Sequence, residues 1–182
     1  MEKTTGSSGS GSASGRGRRE RAFLLKFVLL VAVFFLAVAP KPVNDAVVEP
    51  FTSLVATAGG AACRLFGEPT VMKGTAISSP RFAVNIRNGC NGLETVFIFA
   101  AAVLAFPAPW KNRLTGLAAG IVLIQLFNLV RIVSLFYIGI HFPRIFEDWH
   151  TVVWQVLVVL FGFLLFLLWA ARLALPTRPQ AS

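Results

Sequence analysis

The chain has 182 residues, 55% of them hydrophobic and 14% charged, with 17 Phe against 1 Tyr and a mean hydropathy of +0.71. A soluble domain carries about 45–50% apolar and about 25% charged residues, so composition excludes an ordinary water-soluble core, a disordered chain and, with only 2 Cys, a disulfide-built mini-protein. The charge is lopsided, 17 Lys+Arg against 8 Asp+Glu for a formal +9. In a soluble protein that excess suggests a nucleic-acid binder, but here the basic residues flank apolar runs and no nucleic-acid partner is expected.

Residues 1–21 are Gly/Ser-rich and then basic, ending in Gly15-Arg16-Gly17-Arg18-Arg19-Glu20-Arg21. They offer nothing to bury and read as a disordered cytoplasmic tail. Apolar segments follow at about 22–40, 93–110, 114–140 and 150–171, within a membrane-embedded domain of residues 22–176, and a short cytoplasmic tail, 177–182, closes the chain. Each segment approaches the roughly 17–25 residues that span a bilayer. The first also has the layout of a cleavable signal peptide, with Ala37-Val38-Ala39 as a cleavage site. Its length and Pro40 directly after that site favour a retained span.

Placing both termini inside puts ten Lys and Arg residues on the cytoplasmic face, among them Arg16, Arg18, Arg19, Lys111 and Arg113. The six left outside are offset by six acids. This distribution predicts an even number of spans. The outer loop, 41–92, begins with apolar positions at helical spacing from Phe51 to Phe66 behind Pro50, which predicts an interfacial helix. Thr70–Ile77 and the alternating Phe82, Val84 and Ile86, separated by Ser78-Ser79-Pro80, predict a small hairpin. The fold class is therefore an all-α polytopic membrane protein of four spans with an extracytoplasmic interfacial helix and hairpin.

Three residues stand out. Cys90 precedes Asn91 and Glu94, whose spacing resembles a capping box starting the second span at Asn91, and a thiol at a helix N-terminus is favoured as thiolate. A disulfide with Cys63, or an inert thiol, is the alternative. Arg131 lies inside an otherwise uncharged segment, where an arginine costs at least about 2.5 kcal/mol on insertion scales unless it faces protein or water. Gln125 and Asn128 share its helix side and make one polar stripe pointing inward, with an arginine that snorkels outward and only glues helices as the alternative. His150 opens the last span with Asp148 as a candidate N-cap, a position that equally suits a simple interface residue.

Together, a thiol, an imidazole and a fixed cation on three helices at one membrane level suit acyl transfer. At Asn88-Gly89-Cys90-Asn91-Gly92-Leu93-Glu94, Asn128-Leu129-Val130-Arg131-Ile132 and His150 the chain resembles the exosortase/archaeosortase family of membrane cysteine transpeptidases over residues 22 to 172, most like the short exosortase H subgroup. The resemblance implies Cys90, Arg131 and His150 as catalytic residues, with Asn91, Glu94 and Asn128 in support. It implies a bacterial inner membrane and a periplasmic active site that forms an acyl-thioester with exported proteins bearing a C-terminal PEP-CTERM-like sorting signal, later released to an unknown acceptor nucleophile. Asn91 departs from the Ser that commonly follows the family's Cys. Membrane lipid is the other partner. No metal-ligand spacing, phosphate loop or nucleotide fingerprint is present, so no cofactor is expected. Two rivals remain at the level of sequence: a non-enzymatic assembly subunit in which Arg131 pairs with a partner helix, and a small transporter, for which repeats or matched broken helices are missing.

Overall fold

The computed structural model describes residues 10–174. Residues 1–9 of the expected tail, and the expected 177–182 tail, lie outside the described residues. Helix α1 runs Ser10–Val38, so residues 10–21, expected to be disordered, are helical. Once the apolar span has nucleated a helix, each further residue adds a hydrogen bond, and Arg, Glu and Ala are good helix formers. Pro40 ends the run.

Lys41–Val43 and a π-turn, Asn44–Val48, lead into α2, Glu49–Leu65, with Pro50 in its first turn. The predicted apolar stripe is exposed at Leu54 (66%), Ala58, Leu65 (88%) and Phe66, as a lipid-facing stripe requires, and half-buried at Phe51, Val55 and Ala62. The opposite face, Thr52, Ala56, Gly59, Gly60 and Cys63, packs into protein. Its small side chains permit close approach: a Cβ on Gly59 would lie 2.7 Å from Ile132 Cγ2.

The expected hairpin is a three-stranded antiparallel meander of β1, Val71–Lys73, β2, Ala76–Ser78, and β3, Ala83–Asn85, in the order β1-β2-β3. The stretch Thr70–Ile77 folds back on itself because Gly74, with φ +59°, begins a two-residue turn between the paired Lys73 and Ala76. Ile77 and Ile86 from the sheet pack with Ala56 and Cys63 of α2 and with Ile132 and Phe136.

Helix α3, Leu93–Ala105, is shorter than the expected 93–110 span. Pro107 and Pro109 break the run, and the following helix, α4, starts at Trp110 instead of 114 and extends to His141. The 13 residues of α3 rise about 20 Å against a hydrocarbon core of about 30 Å. A 3₁₀ turn, Pro143–Ile145, and short helical and π turns, Phe146–Asp148 and Trp149–Val153, lead into α5, Trp154–Ala174.

Four helical runs are long and apolar enough to cross a membrane: Gly17–Val38, Lys41–Leu65, Trp110–His141 and Pro143–Leu173. Lys41–Leu65 thus qualifies by length where the sequence predicts an interfacial helix, and Leu93–Ala105 falls short. Helix α3 packs against α1, α4 and α5 as the centre of the bundle, whereas α2 packs on α4 and the sheet. Val96, Phe99, Val103 and Ile124 form the bundle's core, and α4 approaches closely at Gly120, where a Cβ would lie 2.1 Å from Phe99 Cζ.

The cap is tied together by Glu68, 2% exposed, whose carboxylate pairs with the Arg81 guanidinium and whose amide donates to the Cys63 carbonyl at 3.1 Å. The hydrogen bond from Arg81 holds the Glu68 carboxyl below the ordinary glutamate range. A depressed carboxylate contributes stability above its unfolded value, near 4.3, and loses it as pH falls further. Acidification from about pH 5 to about pH 3 is therefore expected to lower the melting temperature of wild type more than that of Glu68→Gln, which is less stable at neutral pH. Melting of both proteins in detergent across pH checks this, and parallel curves would refute it.

Candidate active site

The turn Gly89-Cys90-Asn91-Gly92 enters α3 differently from the predicted capping box. The N-cap is Gly92, in the left-handed conformation at φ +78°, and the helix begins at Leu93, not Asn91. A side chain there is disfavoured by conformation and crowded by its surroundings, because a Cβ would lie 3.0 Å from Asn128 Cγ. Asn91, fully buried, accepts from the Leu93 amide at 3.0 Å and donates to Thr52 Oγ1 at 2.9 Å. Thr52 in turn donates to the Val48 carbonyl at 2.7 Å. Glu94 reaches back past Asn91 to accept from the Gly89 amide at 2.7 Å. The two expected capping residues thus fix the cysteine turn from both sides.

From α4, Asn128 Nδ2 donates to the Cys90 carbonyl at 3.3 Å, and Arg131 Nη1 donates to the Gly89 carbonyl at 3.1 Å. Residues three apart on one helix side hold two consecutive carbonyls of the turn. Arg131 Nη2 lies 3.6 Å from Cys90 Sγ and 3.4 Å from the His150 carbonyl. Arg131 is 2% exposed. It is enclosed by protein as its position in an apolar helix demands. Gln125, the third member of the predicted stripe, has its Nε2 buried beside Gly92 with no hydrogen-bond partner.

His150 Nε2 lies 2.6 Å from Cys90 Sγ. Asp148 is not an N-cap: it has helical φ and ψ and no side-chain cap bond, and His150 sits inside the π-turn Trp149–Val153. The helical run starts earlier because Pro143 initiates it. A π-turn inserts one residue into the helical ladder and re-aims its side chains, a device common at functional sites. His150 Nδ1 is buried without a partner, and the ring stacks on Phe146 at 5.7 Å and 3°. The imidazole is oriented by an aromatic face where many thiol enzymes use a carboxylate or amide.

The structure therefore brings together Cys90, Arg131 and His150 and arranges Asn91, Glu94 and Asn128 around the cysteine turn. Cys63 is a free, fully buried thiol in the cap, and Cys90 is also free, so the alternative disulfide does not form. Sequence reasoning missed Thr52 and Phe146. Phe146 stands four residues before His150, the one signal that would have found it. Thr52 carried none. Among the described residues no cluster of three or more His, Cys, Asp or Glu is placed to hold a metal.

Burial pushes the Cys90 thiol above its ordinary value, and the Arg131 guanidinium opposes that shift. The Cys90 amide is occupied by the Arg87 carbonyl at 2.9 Å, which leaves the guanidinium at 3.6 Å and the His150 imidazole at 2.6 Å as the polar groups facing the sulfur, and of these the guanidinium is the permanent cation. A cavity of about 20 Å³ adjoins Cys90, Arg131 and His150, room for roughly one water.

A membrane-embedded helical bundle carrying a thiol, an imidazole and a guanidinium in mutual contact defines a polytopic membrane protein with the makings of a cysteine acyl-transfer site. A family model described as transmembrane exosortase (Exosortase_EpsH) matches residues 11–170, and the chain belongs to that family. No curated protein and no solved structure matches the chain.

If Arg131 supports the thiolate, Arg131→Gln in a Cys63→Ala background is expected to slow iodoacetamide alkylation of Cys90 roughly tenfold at pH 7 and to move the pH profile upward. Mass spectrometry of the labelled protein over a pH series measures this. An unchanged profile would remove the cation from the account.

Proposed function

We propose that this exosortase is a cysteine peptidase/transpeptidase that cleaves C-terminal sorting signals of exported proteins at the outer face of the inner membrane. The observation carrying the proposal is the 2.6 Å contact between Cys90 Sγ and His150 Nε2, with the Arg131 guanidinium 3.6 Å from the same sulfur.

In the proposed cycle the thiol proton passes to His150 and Cys90 sulfur attacks the scissile carbonyl carbon. Arg131 stabilises the oxyanion as charge develops on the carbonyl oxygen. The C–N bond breaks, the leaving amine takes the proton from His150, and an acyl-thioester remains. An external amine or water then attacks the thioester, gives its proton to His150 and returns the thiol. Arg131 must stay fixed while this happens, and its bonds to the Gly89 and His150 carbonyls supply that rigidity. Substrates anchored by an apolar C-terminal helix suit the surroundings. An apolar groove of about 310 Å³ between α1, α3 and α5 starts at Thr95, in the first turn of α3 and five residues after Cys90. The engagement of both Arg131 terminal nitrogens within this chain disfavours the assembly-subunit reading, in which they would pair with a partner helix.

The test uses an exported protein from the same genome that ends in a short motif, an apolar helix and a basic cluster, carrying a C-terminal epitope. Cys90→Ala is expected to abolish its cleavage and Cys63→Ala to leave it intact. His150→Ala is expected to lower the rate by about 10²–10⁴. Arg131→Lys is expected to fail as well, because a point charge does not reproduce the planar fork that reaches two carbonyls and the sulfur. Full processing by Cys90→Ala would sink the proposal, and mass-spectrometric capture of an acyl group on Cys90 would support it directly.

A further inference from the structure

Strand β3 has one free edge. Its partner β2 pairs with it through Ala76↔Asn85, Ile77↔Val84 and Ser78↔Ala83, and no other described strand or helix pairs with its second side. The flanking bonds set the phase of the ladder: Ser79 donates to the Phe82 carbonyl at 2.8 Å and Ile86 donates to the Thr75 carbonyl at 2.9 Å. In an antiparallel pair, residues that exchange both bonds with the partner alternate with residues that exchange none. Phe82, Val84 and Ile86 therefore spend their backbone groups on β2, while the N–H and C=O of Ala83 and Asn85 point away from it. Both of these residues are exposed.

That edge runs into the catalytic cavity. Val84, Asn85 and Ile86 form one wall of the space that also contains Cys90, Arg131 and His150. At about 20 Å³ the cavity accepts no peptide residue as it stands, so a scissile carbonyl must arrive on a chain held outside it. An extended peptide needs backbone partners at a spacing of two residues, about 7 Å. Ala83 and Asn85 offer that spacing.

We infer that the free edge of β3 binds the extended segment of the substrate next to its scissile bond as an added strand, and so delivers the carbonyl to Cys90. This inference rests on the peptidase reading above. Strand addition draws its affinity from main-chain hydrogen bonds and leaves sequence choice to pockets for alternate side chains. The enzyme would accordingly tolerate varied residues at every second position of the segment while requiring an unmodified backbone.

Two measurements test it with the epitope-tagged tail and with synthetic versions of its motif and helix in micelles. Ala83→Pro removes an outward N–H without touching the β2 ladder or the bond from Thr75 Oγ1 to Asn85 Oδ1 at 2.7 Å. It is expected to lower kcat/KM roughly tenfold, the loss of about one hydrogen bond, while Cys90 alkylation stays at the wild-type rate. Should that variant fail to fold, N-methylation of single residues in the synthetic tail decides the matter on wild-type enzyme. Cleavage is expected to fall at alternate positions only, with a period of two. Wild-type cleavage of the intact tail combined with no alternation in the N-methyl series would overturn strand addition and leave the peptidase reading standing. Absence of wild-type cleavage, or cleavage by Cys90→Ala, would remove the peptidase reading and this inference with it.

Discussion

The buried Arg131 guanidinium is the constraint around which this end of the molecule is organised. A cation in an apolar helix must find acceptors or water, and here two backbone carbonyls and a sulfur supply them. Those acceptors come from two separate segments, the turn before α3 and the turn before α5. One side chain thereby joins three helices at a single point. Asn128 repeats the contact one helical turn below, and Glu94 closes the turn from the other side. The thiol and imidazole meet because the groups that carry them are pinned to the same guanidinium.

The second requirement is a protein environment for the upper turns of α4. Beyond Arg131, α4 continues through Ile132, Leu135 and Phe136, and the cap encloses part of this stretch. Helix α2 turns its small residues toward Ile132, and the single Tyr137 hydroxyl proton is shared between the Cys63 and Phe66 carbonyls at the end of α2. The sheet adds Ile77 and Ile86 to the same cluster. Asn91 and Thr52 then link that cap to the cysteine turn. Stability of the cap and geometry of the site are thus coupled through a buried side-chain pair, a placement in which loss of one partner leaves a desolvated polar group behind.

Sequence alone carried the fold class and singled out three residues that the structure brings together, because the signals involved are local or costly. A run of apolar residues, a charge where none should be and a cysteine among glycines are each visible without coordinates. Boundaries were less legible. Asp148 has the chemistry of an N-cap, but Pro143 starts the helical run five residues earlier, so His150 lies within a π-turn. Asn91 and Glu94 have the spacing of a capping box, yet Gly92 can adopt a left-handed conformation that Asn91 does not need to, and the helix starts after it. The third strand was hidden because Gly74 splits an apolar stretch that reads as one strand. Thr52 and Phe146 escaped because their roles depend on partners 39 residues and one turn away, respectively.

The short α3 gives these pieces their depth. With 13 helical residues against the 32 of α4, the turn that precedes α3 ends level with Asn128 and Arg131 and not with the far end of α4 at His141. Ten residues of α4 separate those levels, about 15 Å of rise. The cysteine is therefore sunk below a rim made by α4, α2 and the sheet. An extended Pro-rich connection, Phe106–Pro109, absorbs the missing length at the opposite end of α3. Sinking the thiol desolvates it, which by itself works against thiolate formation, and the guanidinium at the same depth offsets part of that penalty. Depth and charge are for this reason one feature: a cysteine at the rim would need no buried arginine, and an arginine at this level without the turn above it would have no acceptors.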